Sequence, residues 1–440
     1  MKTATPFREF MKYSTLSVFG MIAISCYILA DTFFVARGLG TNGLAALNLA
    51  IPAYNFIHGT GLMLGMGGAT KFSIYKSQND HKSADAIYTN TLYLGVIFSV
   101  LFMAVGLFLS GQLATLLGAD SAVFDMTNTY LKVMLLFSPA FIFNDILLCF
   151  VRNDGAPRLS MIATVVGSLT NIVLDYIFIF PCGMGIFGAV LATGVSPVLG
   201  IVIMLPHALK KTAGFHPVKT GLRAEHVKTD FSLGFPSLLG QVSSGIVMIV
   251  FNAIILRLTG NTGVAAYGVI ANISLVVTSV YTGIAQGMQP LVSRAYGEQK
   301  IKNAHRFLRY SMIFMLILSA VIYLVILLWA DPIARIFNSE NDAALQRIAV
   351  DGLKLYFTSV VFVGFNIILS MYFTSVEKAI PAQVISLLRG FALIIPIAFL
   401  LAALWEMTGV WLAFPLTELL VALLGVILYA FDQKRKKEKE

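Results

Sequence analysis

The chain has 440 residues, 58% of them hydrophobic and 12% charged, with a formal net charge of +9. Soluble domains carry about 25% charged residues, so this composition excludes a water-soluble fold and predicts an all-α integral membrane protein, each long apolar run sufficing to cross a hydrocarbon core of about 30 Å as a helix. Cys26, Cys149 and Cys182 show neither pairing nor metal-ligand spacing, which excludes a disulfide framework.

Lys2, Arg8 and Lys12 lead into a first apolar segment that contains Asp31 and no small-residue cleavage motif. It reads as a membrane helix rather than a signal peptide. Continuing along the chain, apolar runs between polar breaks predict twelve transmembrane helices, at 13–37, 44–72, 85–110, 127–151, 157–180, 184–210, 230–258, 264–292, 304–330, 349–375, 379–404 and 408–432. Lys and Arg gather on one side of this pattern: in both ends of the chain, including KRKKEKE, and in QNDHKSAD, RNDGAPR, the 211–229 loop and GEQKIKNAHR. The loops of the other side carry only Arg37, Arg257, Arg335 and Arg347. Positive charge is retained inside, so both termini are expected in the cytoplasm. The basic residues are then loop anchors at a lipid bilayer, and no nucleic-acid partner is expected.

The chain also repeats itself. GTNGLAALN at 40–48 returns as GNTGVAAYG at 260–268, and LGMGGATKFSIYKSQNDHKSA is matched by QGMQPLVSRAYGEQKIKNA. YLKVMLLFSPAFIFNDILLCF is echoed by GLKLYFTSVVFVGFNIILSMYF, with Leu131, Lys132, Phe143 and Asn144 against Leu353, Lys354, Phe365 and Asn366. The offsets are 220 to 222 positions. Six spans return the chain to its starting side, so the halves form two six-helix bundles, a 6+6 parallel repeat related by a pseudo-two-fold axis along the membrane normal. The expected division is an N-lobe at 1–210, a cytoplasmic linker at 211–229 and a C-lobe at 230–440.

Ionisable residues at membrane depth are costly and point to function. Asp31, His58, Asp145, Asp175, Arg389 and Glu418 are such residues. Asn171 and Asp175, four apart in NIVLDYIFIF, share a helix face. Asp31, on a span running in the same direction, lies at similar depth, and Thr193 reaches a comparable level. These four oxygen-bearing side chains could bind Na⁺ or take up a proton. The second half offers an internal control, because the offset puts Phe251 opposite Asp31 and an apolar run around IIPIAFLLA opposite the Asp175 segment. Arg389 and Glu418 suit a structural ion pair. Asp145, near Arg152 at the cytoplasmic end, suits a structural pairing or a functional role equally, and His58 is expected to act as a helix-packing donor. No phosphate-binding loop, HExxH or paired Ser and His is present, so no enzyme activity and no cofactor beyond the coupling ion is expected.

LADTFFVARGLGTNGLAALNLAIP, RNDGAPRLSM and TNIVLDYIFIFPCGMGIFGAVLAT resemble the multidrug and toxic compound extrusion (MATE) family of bacterial antiporters, in its DinF/MepA-like branch. The resemblance covers essentially the whole chain. It implies export of cationic or amphiphilic drugs across the cytoplasmic membrane by a monomer, driven by inward H⁺ or Na⁺. Residue by residue it places the coupling-ion site on Asp31, Asn171, Asp175 and Thr193, and Asn144, with Phe141 beside it, on the wall of the N-lobe cavity. A span-seven glutamate of other branches is Ser244 here, and no proline lies between Tyr13 and Arg37. The alternative is a flippase of lipid-linked oligosaccharides or lipids from the same superfamily, which would place several cations along the central cleft.

Overall fold

A computed structural model describes residues 5–338 and 342–437. The last residues of the KRKKEKE tail lie outside the described residues, as does Lys2. Among the described residues no β-strand occurs. The helices are α1 (Pro6–Ser77), α2 (His81–Phe108), α3 (Ser110–Leu116), α4 (Phe124–Leu136), α5 (Ser138–Asn153), α6 (Pro157–Ile179) and α7 (Gly185–Ala208), then α8 (Ala224–Gly297), α9 (Ile301–Phe337), α10 (Ala343–Tyr356), α11 (Val360–Ser375), α12 (Ala379–Leu387) and α13 (Ile394–Lys437).

Helices of 72 and 74 residues, α1 and α8, are far too long for one crossing at 1.5 Å per residue. Each folds back at a glycine, Gly40 (φ 66°, ψ −159°) and Gly260 (φ 66°, ψ −156°). That left-handed conformation strains any residue with a Cβ, so these two glycines carry the hairpins that turn each long helix into a pair of spans. α13 breaks likewise at Trp405 and Glu406, and α4 and α5 form one span bent by 48°. With α10 continued through a 3₁₀ turn into α11, and α12 continued through a π-helical turn at Leu388–Ala392 into the start of α13, the described residues make twelve crossings. Their lipid-facing positions are apolar: Val100 is 60% exposed, Leu328 63% and Phe431 63%.

The repeat seen in the sequence extends to individual backbone joints. Asn79 (φ 61°) recurs as Gln299 (φ 59°), and Gly155 (φ 97°) as Glu377 (φ 58°). The joint at Leu109 that precedes α3 recurs at Trp329 within α9. Each lobe buries its own apolar core, one built on residues such as Val35, Ile142 and Phe150, the other on Phe251, Tyr281 and Trp411. The lobe boundaries differ from the expected ones at two places. Phe10 and Tyr13 of α1 pack into the C-lobe core, because the start of α1 runs along α8. The linker is stitched to α2 of the N-lobe: Val218 N–H donates to Thr89 Oγ1 (3.0 Å), Arg223 N–H to Asn90 Oδ1 (2.6 Å) and His216 N–H to Asp85 Oδ1 (2.7 Å).

The lobes meet along the half that holds the chain termini, where α1 packs on α8. Glycines of one lobe admit the backbone of the other: Gly234 lies against Met63 and Gly67 against Asp230, and on the corresponding pair of spans Gly283 lies against Val18 and Gly287 against Ser14. Buried amides fasten this contact, Asn153 and Gln289 exchanging bonds of 2.9 and 3.1 Å while Gln289 also reaches Thr70 at 3.0 Å.

Candidate functional site

The structure brings Asp31, Asn171, Asp175 and Thr193 together inside the N-lobe. α6 opens on Pro157 at its first turn, a position where the missing N–H costs nothing, and runs straight through Asn171 and Asp175. It lies close to α7 because Gly167 meets Ser196, whose hydroxyl donates to the Gly167 carbonyl at 2.8 Å. Asn171 and Asp175 are fully buried and Thr193 and Asp31 nearly so. In the amide orientation that satisfies both of its ends, Asn171 Nδ2 donates to Asp175 Oδ2 at 3.1 Å and its oxygen accepts from the Thr193 N–H at 3.2 Å. The Thr193 hydroxyl donates to the Ala189 carbonyl at 3.1 Å.

Neither acid is fully satisfied by its protein surroundings. Oδ1 of Asp31 and Oδ1 of Asp175 are buried without a hydrogen-bond partner, and among the described residues neither acid forms an ion pair. Asp31 is near enough for its charge to act on Asp175, and both acids act electrostatically on the Tyr130 hydroxyl, which interacts with Thr193. Two carboxylates held together away from water demand positive charge, whether a proton or a metal cation. One further oxygen faces no helical donor, and the sequence reading did not include it. Pro197 lies inside α7 and cannot donate to the carbonyl four residues earlier, so the Thr193 carbonyl loses its helical partner. Oxygen donors of these kinds suit hard cations.

In the C-lobe, Glu418 is satisfied from within. Arg389, set on the π-helical turn, donates from Nε at 3.0 Å and from an Nη at 2.9 Å to Glu418 Oε1, and Asn366 Nδ2 donates to Glu418 Oε2 at 2.7 Å. At the repeat offset Arg389 and Glu418 correspond to Gly167 and Ser196, the same contact made without charge in the N-lobe.

A second acid stands apart from the first pair. Asp145 lies 2.8 Å from His58 Nδ1, so the structural pairing with Arg152, one of the two readings the sequence left open, does not form. Gly61 and Gly65 let α5 close onto α1, where a Cβ on Gly61 would sit 2.7 Å from Asp145 Oδ2. Arg152 turns instead to Gln286 Oε1 at 2.6 Å. His58, Asp145, Arg152 and Gln286 border a narrow, partly open cleft with a cavity volume of about 40 Å³. Phe141 and Asn144 are not part of its lining: Phe141 is buried edge-on to Tyr54, with ring centres 5.7 Å apart, and Asn144 is turned toward α7, where a Cβ on Gly200 would overlap its amide oxygen.

The MatE family model matches residues 17–177 and again 236–400, once in each lobe. Curated relatives include the multidrug export protein MepA of Staphylococcus saprophyticus, 26% identical over 424 residues that cover 96% of this chain and 93% of that protein. MepA of Staphylococcus aureus is 25% identical over 431 residues, again 96% of this chain and 93% of the relative. Among solved structures, an outward-facing multidrug resistance MATE family transporter of the MOP superfamily superposes with a TM-score of 0.91 at 23% identity, covering all of both chains. A MOP superfamily transporter from Pyrococcus furiosus gives 0.90 at 23% identity and covers 98% of each chain. With the family model matched across most of the sequence and the whole fold shared, the chain belongs to the MatE family of membrane transporters.

Proposed function

We propose that this protein is a multidrug exporter of the cytoplasmic membrane that exchanges cationic or amphiphilic molecules for inward-flowing H⁺ or Na⁺, with the coupling ion held by Asp31, Asn171, Asp175 and Thr193. The observation that carries this reading is the buried carboxylate pair of the N-lobe, each acid with one oxygen left open and neither, among the described residues, in an ion pair, set against Glu418 of the C-lobe, which is neutralised by Arg389. The MepA relatives, named as multidrug export proteins, support the direction and the substrate class.

The mechanism follows from charge. Empty, the pair repels itself and favours a lobe arrangement that admits water or a cation. Filled by one cation from the outer side, the acids can draw together, and α1 and α6 close on each other. An ion that prefers one lobe arrangement shifts the equilibrium by its difference in affinity between the two, and a drug that prefers the other is displaced. Both termini lie in the cytoplasm in this reading, and the protein works as a monomer within alternating access.

Asp175→Asn keeps the hydrogen-bonding shape and removes the charge. In proteoliposomes under an imposed gradient it is expected to abolish uphill drug efflux while the protein still inserts and purifies as one species. Efflux at the wild-type rate would overturn the coupling assignment. Imposing a pH gradient alone and then a Na⁺ gradient alone identifies the ion.

A further inference from the structure

We propose that Asp145 is the carboxylate on which the charge of an outgoing organic monocation docks, and that His58 is the internal partner this cation displaces. The proposal rests on the export reading above, and concerns a site separate from Asp31 and Asp175.

Asp145 is 2% exposed and His58 faces it at 2.8 Å. The walls beside them are methionine and aliphatic: Met21, Leu62, Leu148 and Met161. Such walls adapt to bulky apolar groups of varied shape. Tyr54 stacks on the His58 ring with centres 5.8 Å apart and planes 12° apart, which sets an aromatic face next to the acid, a surface that attracts cations. Gln286 reaches the same cleft from the other lobe, so an occupant here touches both bodies.

The charges facing Asp145 define what it can exchange. From α1 come His58 and Tyr54; from α5 itself come Cys149 and Arg152; α6 contributes Ser160 and Thr164, and α8 contributes Gln286. The Arg152 guanidinium is engaged by Gln286 Oε1 at 2.6 Å and by the sulfurs of Met66 and Cys149 at 3.9 and 3.8 Å, and makes no ion pair with Asp145. A lysine or arginine partner would hold its charge permanently. An imidazole can release its proton to water near neutral pH and leave the carboxylate to another cation. Charge then balances at the site: one organic cation enters, one proton leaves His58, and Asp145 stays ionised throughout.

The test uses purified full-length protein and tetraphenylphosphonium as the probe, with binding measured by equilibrium dialysis between about pH 6 and 8, where histidine changes charge. Wild-type affinity is expected to rise with pH, approaching about tenfold per unit for one-for-one exchange with a proton. Asp145→Asn is expected to weaken binding by roughly tenfold or more. His58→Gln, which leaves the acid in place, is expected to bind at least as tightly as wild type with the pH dependence gone. Should Asp145→Asn fail to fold, the His58→Gln profile decides alone. A wild-type slope in His58→Gln, or wild-type affinity in Asp145→Asn, overturns the proposal while leaving the export reading in place. A wild-type protein that does not bind the probe overturns both.

Discussion

Gly234 and Gly283 give the sharpest mechanical prediction. A methyl group on Gly234 would overlap the Met63 carbonyl, and one on Gly283 would stand 2.6 Å from the Val18 Cα. Both contacts join one lobe to the other, so the overlap exists only while the lobes are closed at this end. Relief requires the helices to part by about 1 Å, and overpacking of that degree costs about 1–3 kcal/mol. Because the penalty falls on one arrangement, either alanine substitution is expected to shift the ratio of closed to open lobes by about 5- to 150-fold toward open. Gly240 and Gly268, on the same helix α8, have no heavy atom within 4 Å of the place a methyl group would take, and alanine there serves as the control. Spin labels at Gln78 and Glu298, exposed at the ends of the two long helices, report the separation by pulsed dipolar spectroscopy once the exposed Cys26 and Cys182 are replaced by serine. Both contacts lie where α1 packs on α8, so Gly234→Ala and Gly283→Ala are expected to move the distribution in the same direction. An unchanged distribution in both, or an equal shift in the controls, would refute the reasoning.

Other expectations follow from individual contacts. Glu418→Gln leaves Arg389 without its counter-charge and is expected to lower stability by about 3 kcal/mol, the low end for a broken buried pair, because the guanidinium remains 21% exposed. Removing both charges with Arg389→Met and Glu418→Met should restore much of the loss, which thermal unfolding in detergent measures; additive losses would deny the pairing. Asp80→Ala removes the cap on α2, where Asp80 Oδ1 accepts from the Ser83 N–H at 3.1 Å, at a cost of about 1 kcal/mol. Hydrogen bonds from the Ser83 side chain and backbone hold the Asp80 carboxyl below its usual range. A lowered value stabilises the fold above the unfolded carboxyl's titration and loses that contribution as pH falls through the lowered value. The gap between wild type and Asp80→Ala in an unfolding series should therefore close on the acid side; a constant gap would argue against the cap.

Features set by local spacing were legible in the sequence, and features set by a neighbouring helix were not. The twelve crossings follow from apolar run length, and the shared face of Asn171 and Asp175 from helical periodicity. The internal repeat announced the matched joints at Gly40 and Gly260. Arg152, in contrast, is seven residues beyond Asp145 and looks like a natural partner on a helix wheel. His58 takes that place because Gly61 and Gly65 on a different helix remove the bulk that would hold α5 away. The π-helical turn under Arg389 has no sequence mark comparable to a proline or glycine. The linker carries basic residues and a proline, the look of a free tether, yet its backbone is tied to α2 by side chains from 85, 89 and 90. The Thr193 carbonyl was readable all along from Pro197, by counting back four residues.

The two lobes share a backbone frame to the level of single turn residues, so their differences isolate what the frame does not require. Where α6 meets α7, an uncharged Ser196–Gly167 contact holds the N-lobe together; the equivalent contact in the C-lobe is made by Glu418 and Arg389. The C-lobe therefore carries an acid whose charge is cancelled within the protein, and offers apolar residues where the N-lobe has Asp31 and Asp175. Two acids kept buried with oxygens left open incur a desolvation cost in the resting protein, which a bound cation would offset. On the proposed function, that difference between filled and empty states would let one lobe sense an ion gradient while the other serves as the body it moves against.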